Sequence, residues 1–556
     1  MTSAIPFRNK HVTTLRTQIM ALIKTQLDVQ ADTYKNNFKV MSAAVDEFRR
    51  IERRVIETAQ AKAPRYIQKG LVPPRERLSL LLDPGSPFLE LLTLCGYLQE
   101  EDTDGSGAGG GCIAGIGYIS GIRCLVMVDD YLTKGGSITP LGGTKRRRLL
   151  RIAMENKLPL IALAQSGGGN LKLLGEFFGP SGGGFADQCR LSAAGIPQIT
   201  VVHGSATAGG AYQPTLSDYL ILIRKQSTMF LAGPPLLKAA TGEIATDEEI
   251  GGAEMHSEIP GTSDYLAEND ADGIRIARDI TRKLGWNKAH CLQAKSEYEG
   301  PLYAAAELRG IVPEDSKTPF DMREVIARIA DASDYLEFKA EYDQGTLCGH
   351  IEIEGQPCGV IANNSPITAN GAAKAGQFIQ LCEQSGTPLL FLHNTTGFIV
   401  GTASEQAGII KHGAKLIQAV TNSKIPKISI VVSGSYGAGN YAMCGRGMDP
   451  RFMFAWPGSV VSVMGPAQAG SVLRQVAQAK MQRAGQVNEA MLDALEKDTV
   501  DTMEAQSRAL ANTARVWDDG MIDPADTRSV VAFALSVCRE ADERPLNTNT
   551  FGIGRL

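Results

Sequence analysis

Two pairs of prolines constrain this chain more than anything else in it. Pro159 and Pro388 each open a short apolar run, as do Pro197 and Pro426, and 388 less 159 and 426 less 197 both give 229. Two landmarks at one offset indicate an internal duplication of roughly 230 residues, too long a period for a solenoid. At 556 residues the chain exceeds the size at which single cores stop growing, roughly 250–300 residues. The expectation is two homologous α/β domains rather than a repeat array.

Each copy carries the same punctuation. Ile196 to Val202 (IPQITVV) reads as a buried strand and runs into Ser205-Ala206-Thr207-Ala208-Gly209-Gly210-Ala211-Tyr212-Gln213-Pro214. Ile425 to Val432 (IPKISIVV) runs into Gly434-Ser435-Tyr436-Gly437-Ala438-Gly439-Asn440-Tyr441. Strand, glycine turn, helix start is an arrangement that aims backbone N–H groups at an anion. Pro214 reads as the helix start, where a missing N–H costs nothing. The bland reading is a pair of tight turns of the kind any α/β protein contains.

Between these landmarks the chain reads as follows. Residues 10–82 show helix-like spacing (Leu15, Met20, Leu22, Ile23, Leu27, then Val40, Val45, Phe48, Ile51, Val55) and form an arm over 1–82. Ile113–Ile119 and Ile122–Asp129 flank Ser120-Gly121 as a hairpin, and Glu101–Gly111 is a polar glycine-rich loop. Thr144–Lys157 is a basic helix; its run Lys145-Arg146-Arg147-Arg148, with Arg224-Lys225, either meets phosphates of an anionic substrate or forms a solvated face. Leu158–Ala164 is a strand ending in Gln165-Ser166-Gly167-Gly168-Gly169-Asn170, Phe177–Gly184 is a glycine-rich loop, and Leu220–Leu231 is one strand. After a connection over 285–320 the plan recurs: a helix at Met322–Ala332, a hairpin about Gly355, a helix at Ala373–Ser385, a strand ending in Asn394-Thr395-Thr396-Gly397-Phe398, and a helix at Gln406–Ser423. The domains are expected at 83–300 and 301–556.

Familiar side-chain catalysts are missing. No HExxH, Walker A, GxSxG or metal-spaced histidine cluster occurs, and ten scattered cysteines without a CxxC pair fit no zinc ribbon. His203 and His393 each end a strand and read as either an acid–base group or a satisfied core histidine. A net charge of -4 gives no footprint for nucleic acid. No run of about 18 apolar residues and no signal-like segment is visible, so no membrane partner is expected and the expected compartment is the cytoplasm, or the mitochondrial matrix in a eukaryote.

At this point several segments resemble a known family, the carboxyltransferase β subunits of biotin-dependent acyl-CoA carboxylases. They are Lys134-Gly135-Gly136, Ser166-Gly167-Gly168, Ala208-Gly209-Gly210, FLAGPPLLKAATGE (Phe230 to Glu243), DMREVIARI (Asp321 to Ile329), Thr396-Gly397-Phe398 and GSYGAGNYAMCGRG (Gly434 to Gly447). They look most like the methylcrotonyl-CoA and geranyl-CoA carboxylase branch. The resemblance implies two crotonase-like domains behind the helical arm, the first for acyl-CoA and the second for biotin, with the active site shared between subunits of a β hexamer. It implies that Gly209 and Gly210 hold the thioester oxygen as an enolate, and that Ala438 and Gly439 hold the ureido oxygen of carboxybiotin, with Phe398 beside the cofactor. It implies acyl-CoA contacts at Gly167, Gly168, Lys134, Ser181, Gly182, Lys238 and Ala239, and no metal. No Met-Lys-Met biotinylation site or ATP-grasp pattern is visible, so a biotin carboxylase and carrier α subunit is the expected partner, consuming ATP and bicarbonate.

The sequence also departs from the family. Methylcrotonyl-type relatives carry a bulky aromatic in the segment that here reads Gly179-Pro180-Ser181-Gly182-Gly183-Gly184, which implies a deeper acyl pocket of the geranyl type. Two other readings remain open. A crotonase-like hydratase or hydrolase needs a carboxylate by the turns, with Glu176 the near candidate; a non-catalytic assembly subunit needs none.

Overall fold

The computed structural model describes residues 21–100, 102–286, 297–315 and 318–555. It divides into two compact units, one from Asp46–Gln293, Ala509–Met521 and Val537–Leu556, the other from Met1–Val45, Ala294–Arg508 and Ile522–Ser536.

The first of these is built on an eight-stranded sheet. Strands β1 Leu89–Glu90, β2 Cys112–Ile119 and β3 Ile122–Asp129 are antiparallel, with β2 and β3 joined through Ser120-Gly121 as the sequence predicts. Then β4 Leu160–Ser166, β5 Gln198–Thr207, β6 Tyr219–Ile223, β7 Thr228–Phe230 and β8 Tyr265–Ala267 all pair in parallel, in spatial order β3-β4-β5-β6-β8 with β7 also on β5. Parallel strands are covered on both faces, which is why they read as unbroken apolar runs. The helices in this part of the chain include α1 Asp32–Gln60, α2 Pro140–Glu155, α3 Leu174–Ser181, α4 Gly183–Ala193, α5 Gly209–Thr215, α6 Pro234–Thr241 and α7 Asp270–Lys283. Ile274, Ala277 and Ile280 of α7 close the core over Ile161, Leu163, Ile199, Val201, Ile221 and Ile223.

The other unit repeats the plan on seven strands. Strands β9 Leu336–Glu337, β10 Thr346–Ile353 and β11 Gln356–Asn363 are antiparallel; β12 Leu389–Thr395, β13 Lys427–Tyr436, β14 Phe452–Ala455 and β15 Val460–Ser462 are parallel. Its helices include α8 Ala369–Ser385, α9 Ile409–Asn422 and α10 Gly437–Ala442. Phe378 and Ile379 of α8 and Leu416 and Val420 of α9 pack on Leu389 and Phe391. The offset of 229 holds for both ends of β4 against β12 and of β5 against β13. It also pairs residues the proline register did not single out. Thr139 and Thr368 cap α2 and α8, accepting from Gly142 N and Gly371 N, and the buried Lys145 and Lys374 follow one turn later.

Five sequence expectations are corrected. Residues 21–31 are not helical: Leu22 bridges Asp334, Ile23 N donates to Ser333 O (3.1 Å) and Gln26 N to Glu324 Oε1 (2.7 Å), so tertiary bonds override the local spacing. Leu15 and Met20 lie outside the described residues. Phe177–Gly184 is helical, not a loop; Gly179, Gly182, Gly183 and Gly184 all keep negative φ, and only Gly183 is closely packed, against the Arg147 guanidinium. Leu220–Leu231 breaks into β6 and β7, because Ser227 Oγ accepts Ile223 N (2.7 Å) and turns the chain back beside β5. Helix α5 starts at Gly209, and Pro214 lies in its last turn. The basic run is neither a phosphate site nor a solvated face. Lys145 Nζ donates to the carbonyls of Leu92, Gly109 and Cys112, Arg146 pairs with Asp129 (2.8 Å) and Arg148 with Asp519 (2.7 Å), while only Arg147 is exposed. No helix among the described residues is long and apolar enough to cross a membrane.

Candidate functional site

The carboxyl ends of β3, β4 and β5 bring three of the singled-out segments together. The turn at Lys134-Gly135-Gly136 packs so tightly on the end of β4 that a Cβ on Gly136 would lie 2.8 Å from Gln165 O, and one on Gly167 2.7 Å from Gly135 O. Gly168 (φ +86°) receives its bend from Ser166, whose Oγ accepts Gly168 N at 3.1 Å, and Gly168 O in turn accepts Ile138 N at 2.9 Å. Gly210 then rests on Ser166, 3.1 Å from a would-be Cβ.

Residue 208 makes the change from strand to helix in one step. Ala208 takes φ +54° and ψ −123°, a region that costs a non-glycine residue about 1–3 kcal/mol. Its own N–H is spent on Phe230 O (3.1 Å), which ties the turn to β7. The first amides of α5 have no intrahelical acceptor. Gly209 is exposed and Gly210 buried. A Cβ on Gly209 would meet only Phe185 Cζ, at 3.6 Å, so the chain's own packing does not require glycine there. Phe185, on α4, also meets Tyr212 edge to face at 6.1 Å.

Buried polar groups support this turn. Arg77, with no exposed surface, donates from Nη1 to Gln165 Oε1 (3.0 Å) and from Nη2 to Tyr66 Oη (2.9 Å), and its Nε lies 3.5 Å from Asp270 Oδ1. Asp270 also accepts from Gln226 Nε2 (3.0 Å) and Val72 N (3.0 Å), and its Oδ1 meets His203 Nδ1. Burial, and after it the Arg77 charge, pushes the His203 imidazole down to about 4. His203 is therefore neutral at pH 7; its Nε2 has no partner among the described residues. Gln165 N donates to Asp129 Oδ2 (3.0 Å), joining this set to the Asp129–Arg146 pair.

The other unit builds the same turn on neutral groups. Gly397 (φ +113°) is bonded through Thr395 Oγ1 (3.1 Å), and Gly397 O accepts Ile367 N (2.9 Å), the counterparts of Gly168, Ser166 and Ile138. Gly437 holds φ +54°, as Ala208 does, but without a Cβ. Ala438 is exposed and Gly439 buried, with Gly397 Cα 2.8 Å from a would-be Cβ on Gly439. Below it Ser435 Oγ meets His393 Nδ1 (2.9 Å) and accepts from Asn440 Nδ2 (2.8 Å). Burial pushes His393 down to about 3.

The remaining expected residues fall at varying distances from these turns. Ser181 and Gly182 lie at the junction of α3 and α4, one helical turn before Phe185. Lys238 and Ala239 lie on α6, which buries none of its residues and follows β7. The Phe398 ring packs toward α9, where a Cβ on Gly413 would lie 3.0 Å from its Cζ. Glu176 is exposed on α3. Sequence reading missed Arg77, Tyr66 and Asp270, and gave Gln165 and Asn440 no role. Gln165 and Asn440 lie within segments already singled out, whereas Arg77 lies among ordinary arm residues and carries no local signal.

Residues 66–550 match the carboxyl transferase domain family. A probable biotin-dependent acyl-coenzyme A carboxylase β2 subunit of Mycobacterium tuberculosis is 44% identical over 96% of this chain and 100% of that one. The mitochondrial methylcrotonoyl-CoA carboxylase β chain of Dictyostelium discoideum is 42% identical over 95% of this chain and 90% of its own length. Among solved structures, the P. aeruginosa geranyl-CoA carboxylase β subunit is 55% identical, with a TM-score of 0.90 over 96% of this chain and 100% of that one.

Proposed function

The chain belongs to the carboxyl transferase domain family, as a carboxyltransferase (β) subunit of the biotin-dependent acyl-CoA carboxylases with the crotonase-like fold of that group, and on that premise we propose that it carboxylates a branched, unsaturated acyl-CoA of the methylcrotonyl-CoA or geranyl-CoA type. The observation that carries the reading is the matched pair of turns, each with an exposed residue, Gly209 or Ala438, followed by a buried glycine.

In this reading the N–H groups of Gly209 and Gly210 receive the thioester oxygen and hold it as negative charge develops. Such donors are worth about 10²–10³ in rate each. The backbone must face the substrate there, which explains a glycine at position 209 that internal packing does not demand. The N–H groups of Ala438 and Gly439 would receive the ureido oxygen of biotin, on which negative charge collects as the carboxyl group leaves; that turn offers backbone donors on a neutral scaffold. Carboxybiotin, when bound, would supply the carboxyl group as CO₂ and would be left as a ureido anion able to take the substrate proton. No side-chain base is needed, in keeping with His203 and His393 being buried. Gly167, Gly168 and Lys134 form the wall beside the acyl site, and Lys238 and Ala239 present α6 to the CoA moiety. Phe398 acts by fixing the Gly397 turn on which the biotin side rests.

β Subunits of this group work with a biotin-carrying α subunit. We assign ATP and bicarbonate to that partner, and place the complete site between the first half of one β subunit and the second half of another within a hexamer. The segment Gly179–Gly184 favours the larger acyl chain, since a Cβ at Gly179 or Gly184 would meet nothing within 4 Å.

The test is to co-express the chain with its biotinylated partner and assay ATP- and bicarbonate-dependent carboxylation across a panel of acyl-CoAs. A fully assembled, biotinylated complex that carboxylates none of them sinks the proposal, and preference for methylcrotonyl-CoA over geranyl-CoA sinks the deep pocket. Gly209→Val should lower kcat about 10²–10³-fold with the melting temperature unchanged, because the side chain has room in the fold but blocks the backbone.

A further inference from the structure

Helix α5 carries the amides assigned to the thioester oxygen, yet it has little stability of its own. It has seven residues, with glycine at its first two positions and Pro214 near its end. Isolated helices below about 12–15 residues are marginal in water, and glycine and proline are the poorest helix formers. What fixes it must come from elsewhere.

The last four carbonyls of a helix have no partner within it. In α5 three are served from nearby: Tyr212 O accepts Leu216 N (2.9 Å), Gln213 O accepts Gln188 Nε2 (3.1 Å) and Pro214 O accepts Ser217 N (3.1 Å). The fourth, Thr215 O, accepts Arg555 Nε at 3.1 Å, from 340 positions along the chain. The same guanidinium donates from Nη2 to Ser217 O (2.9 Å) and from Nη1 to Thr262 O (2.9 Å) and Asp264 Oδ2 (2.8 Å). Its planar fork thus joins the end of α5 to the segment leading into β8. A cation at a helix carboxyl end also opposes the partial negative charge there.

Arg555 is delivered by an ordered strap. Asn549 N donates to Ala193 O (2.8 Å) and Ile553 N to Ser192 Oγ (2.8 Å), both at the end of α4, and Asn547 O lies so close to Gly195 that a Cβ there would be 2.2 Å away. Ser192 Oγ in turn bonds Asp218, whose other oxygen accepts Gln198 N (2.8 Å) at the start of β5. Residues 547–555 therefore grip the far ends of both helices that flank the first turn. All these residues belong to one compact unit.

We propose that Arg555 is a positioning residue for carboxylation: it holds the carboxyl end of α5 so that the amides of Gly209 and Gly210, about 10 Å away along the axis, stay aimed at the thioester oxygen. The proposal rests on the assignment of those amides made above. It is tested in the assembled holoenzyme with Arg555→Ala and Arg555→Lys, measuring carboxylation kinetics together with hydrogen–deuterium exchange of residues 211–217, with residues 440–445, the end of α10 and the turn after it, as internal control. R555A should lower kcat roughly tenfold or more with little change in KM, the signature of a misplaced reacting group. Exchange should rise in 211–217 and not in 440–445. R555K keeps the charge but loses the fork, so it should fall between R555A and the parent in both readouts. Parental kcat in R555A overturns the proposal, as does lost kcat with unchanged exchange. If R555A does not assemble, R555K decides alone: intermediate values support the clamp and parental values overturn it. A parent holoenzyme that carboxylates no acyl-CoA refutes the assigned reaction, while the exchange difference still reads the clamp.

Discussion

The two glycine turns share a backbone and differ in what lies beneath it. Ala208 and Gly437 have the same φ of +54°, and Gly168 and Gly397 make the same bonds to Ile138 and Ile367. Under the first turn are ionised groups: Arg77 with Asp270, and Arg146 with Asp129. Under the second are Ser435, His393 and Asn440. At the offset of 229, Arg146 becomes Ala375 and His203 becomes Val432; outside that offset, Asn363 ends β11 as Asp129 ends β3. Both turns are assigned a developing negative charge, the first on the thioester oxygen and the second on the ureido oxygen as the carboxyl group leaves. Fixed charges and dipoles under an oxyanion site require no reorganisation when charge appears; the first turn stands on ion pairs and the second on neutral dipoles. Duplication supplied the frame, and the buried polar groups beneath the two turns differ.

The largest expected effect follows from that contrast. Arg77→Met removes one partner of a buried charge pair and should destabilise the protein by about 3–5 kcal/mol, by urea unfolding. Ser435→Ala, its neutral counterpart, should cost about 1 kcal/mol. Equal losses would erase the distinction between a charged and a neutral support.

The frame was legible in the sequence because it rests on local signals: prolines opening strands, glycines closing them, and apolar runs between. The same offset also relates Thr139 to Thr368 and Lys145 to Lys374, so more of the duplication was readable than the prolines alone disclosed. The support was not legible. Lys145 lies in a run of four basic residues, and only contact with Leu92 O, 53 positions earlier, shows that it is buried. Residues 21–27 have helical spacing but bond to residues some 300 positions away. Burial of charge and pairing of edges depend on distant partners, which periodicity does not encode.

A smaller effect separates the turns by space. Gly439→Ala places a Cβ 2.8 Å from the Gly397 backbone, which cannot give way, and should cost about 1–3 kcal/mol. Gly210→Ala meets the Ser166 side chain at 3.1 Å, which can rotate, and should cost less. A reversed order in urea midpoints would show that the first turn is the more rigid.

Acid distinguishes nothing between the turns, and that is itself a test. Both histidines are depressed by burial, to about 4 for His203 and about 3 for His393, against an ordinary value of 6.5. Between those values the unfolded chain binds the extra proton and the folded chain does not. Stability therefore rises with pH across this window and is lost as pH falls below 6.5, by about 1.4 kcal/mol per pH unit for each histidine. His393→Gln should halve the combined contribution of the two histidines to that slope between pH 6 and 5. A slope unchanged in that variant would mean that His393 is already protonated in the fold.

The smallest effect is the most specific, because it converts one turn into the other at a single atom. Ala208 bears a Cβ at φ +54° and ψ −123°, where Gly437 bears none. Relief of that strain favours Ala208→Gly by about 1–3 kcal/mol, and the extra freedom of glycine in the unfolded chain opposes it by about 0.5–1 kcal/mol. The net expectation is a stabilisation of about 1 kcal/mol, seen as a higher urea midpoint. It should come with a modest fall in kcat, since the Cβ narrows the backbone choices of the residue just before the two donor amides. Greater stability with lower turnover would mean that the first turn keeps its strain to hold Gly209 and Gly210 in aim. Lower stability would mean that the bond from Ala208 N to Phe230 O already carries the conformation, and that the two turns differ only in what supports them.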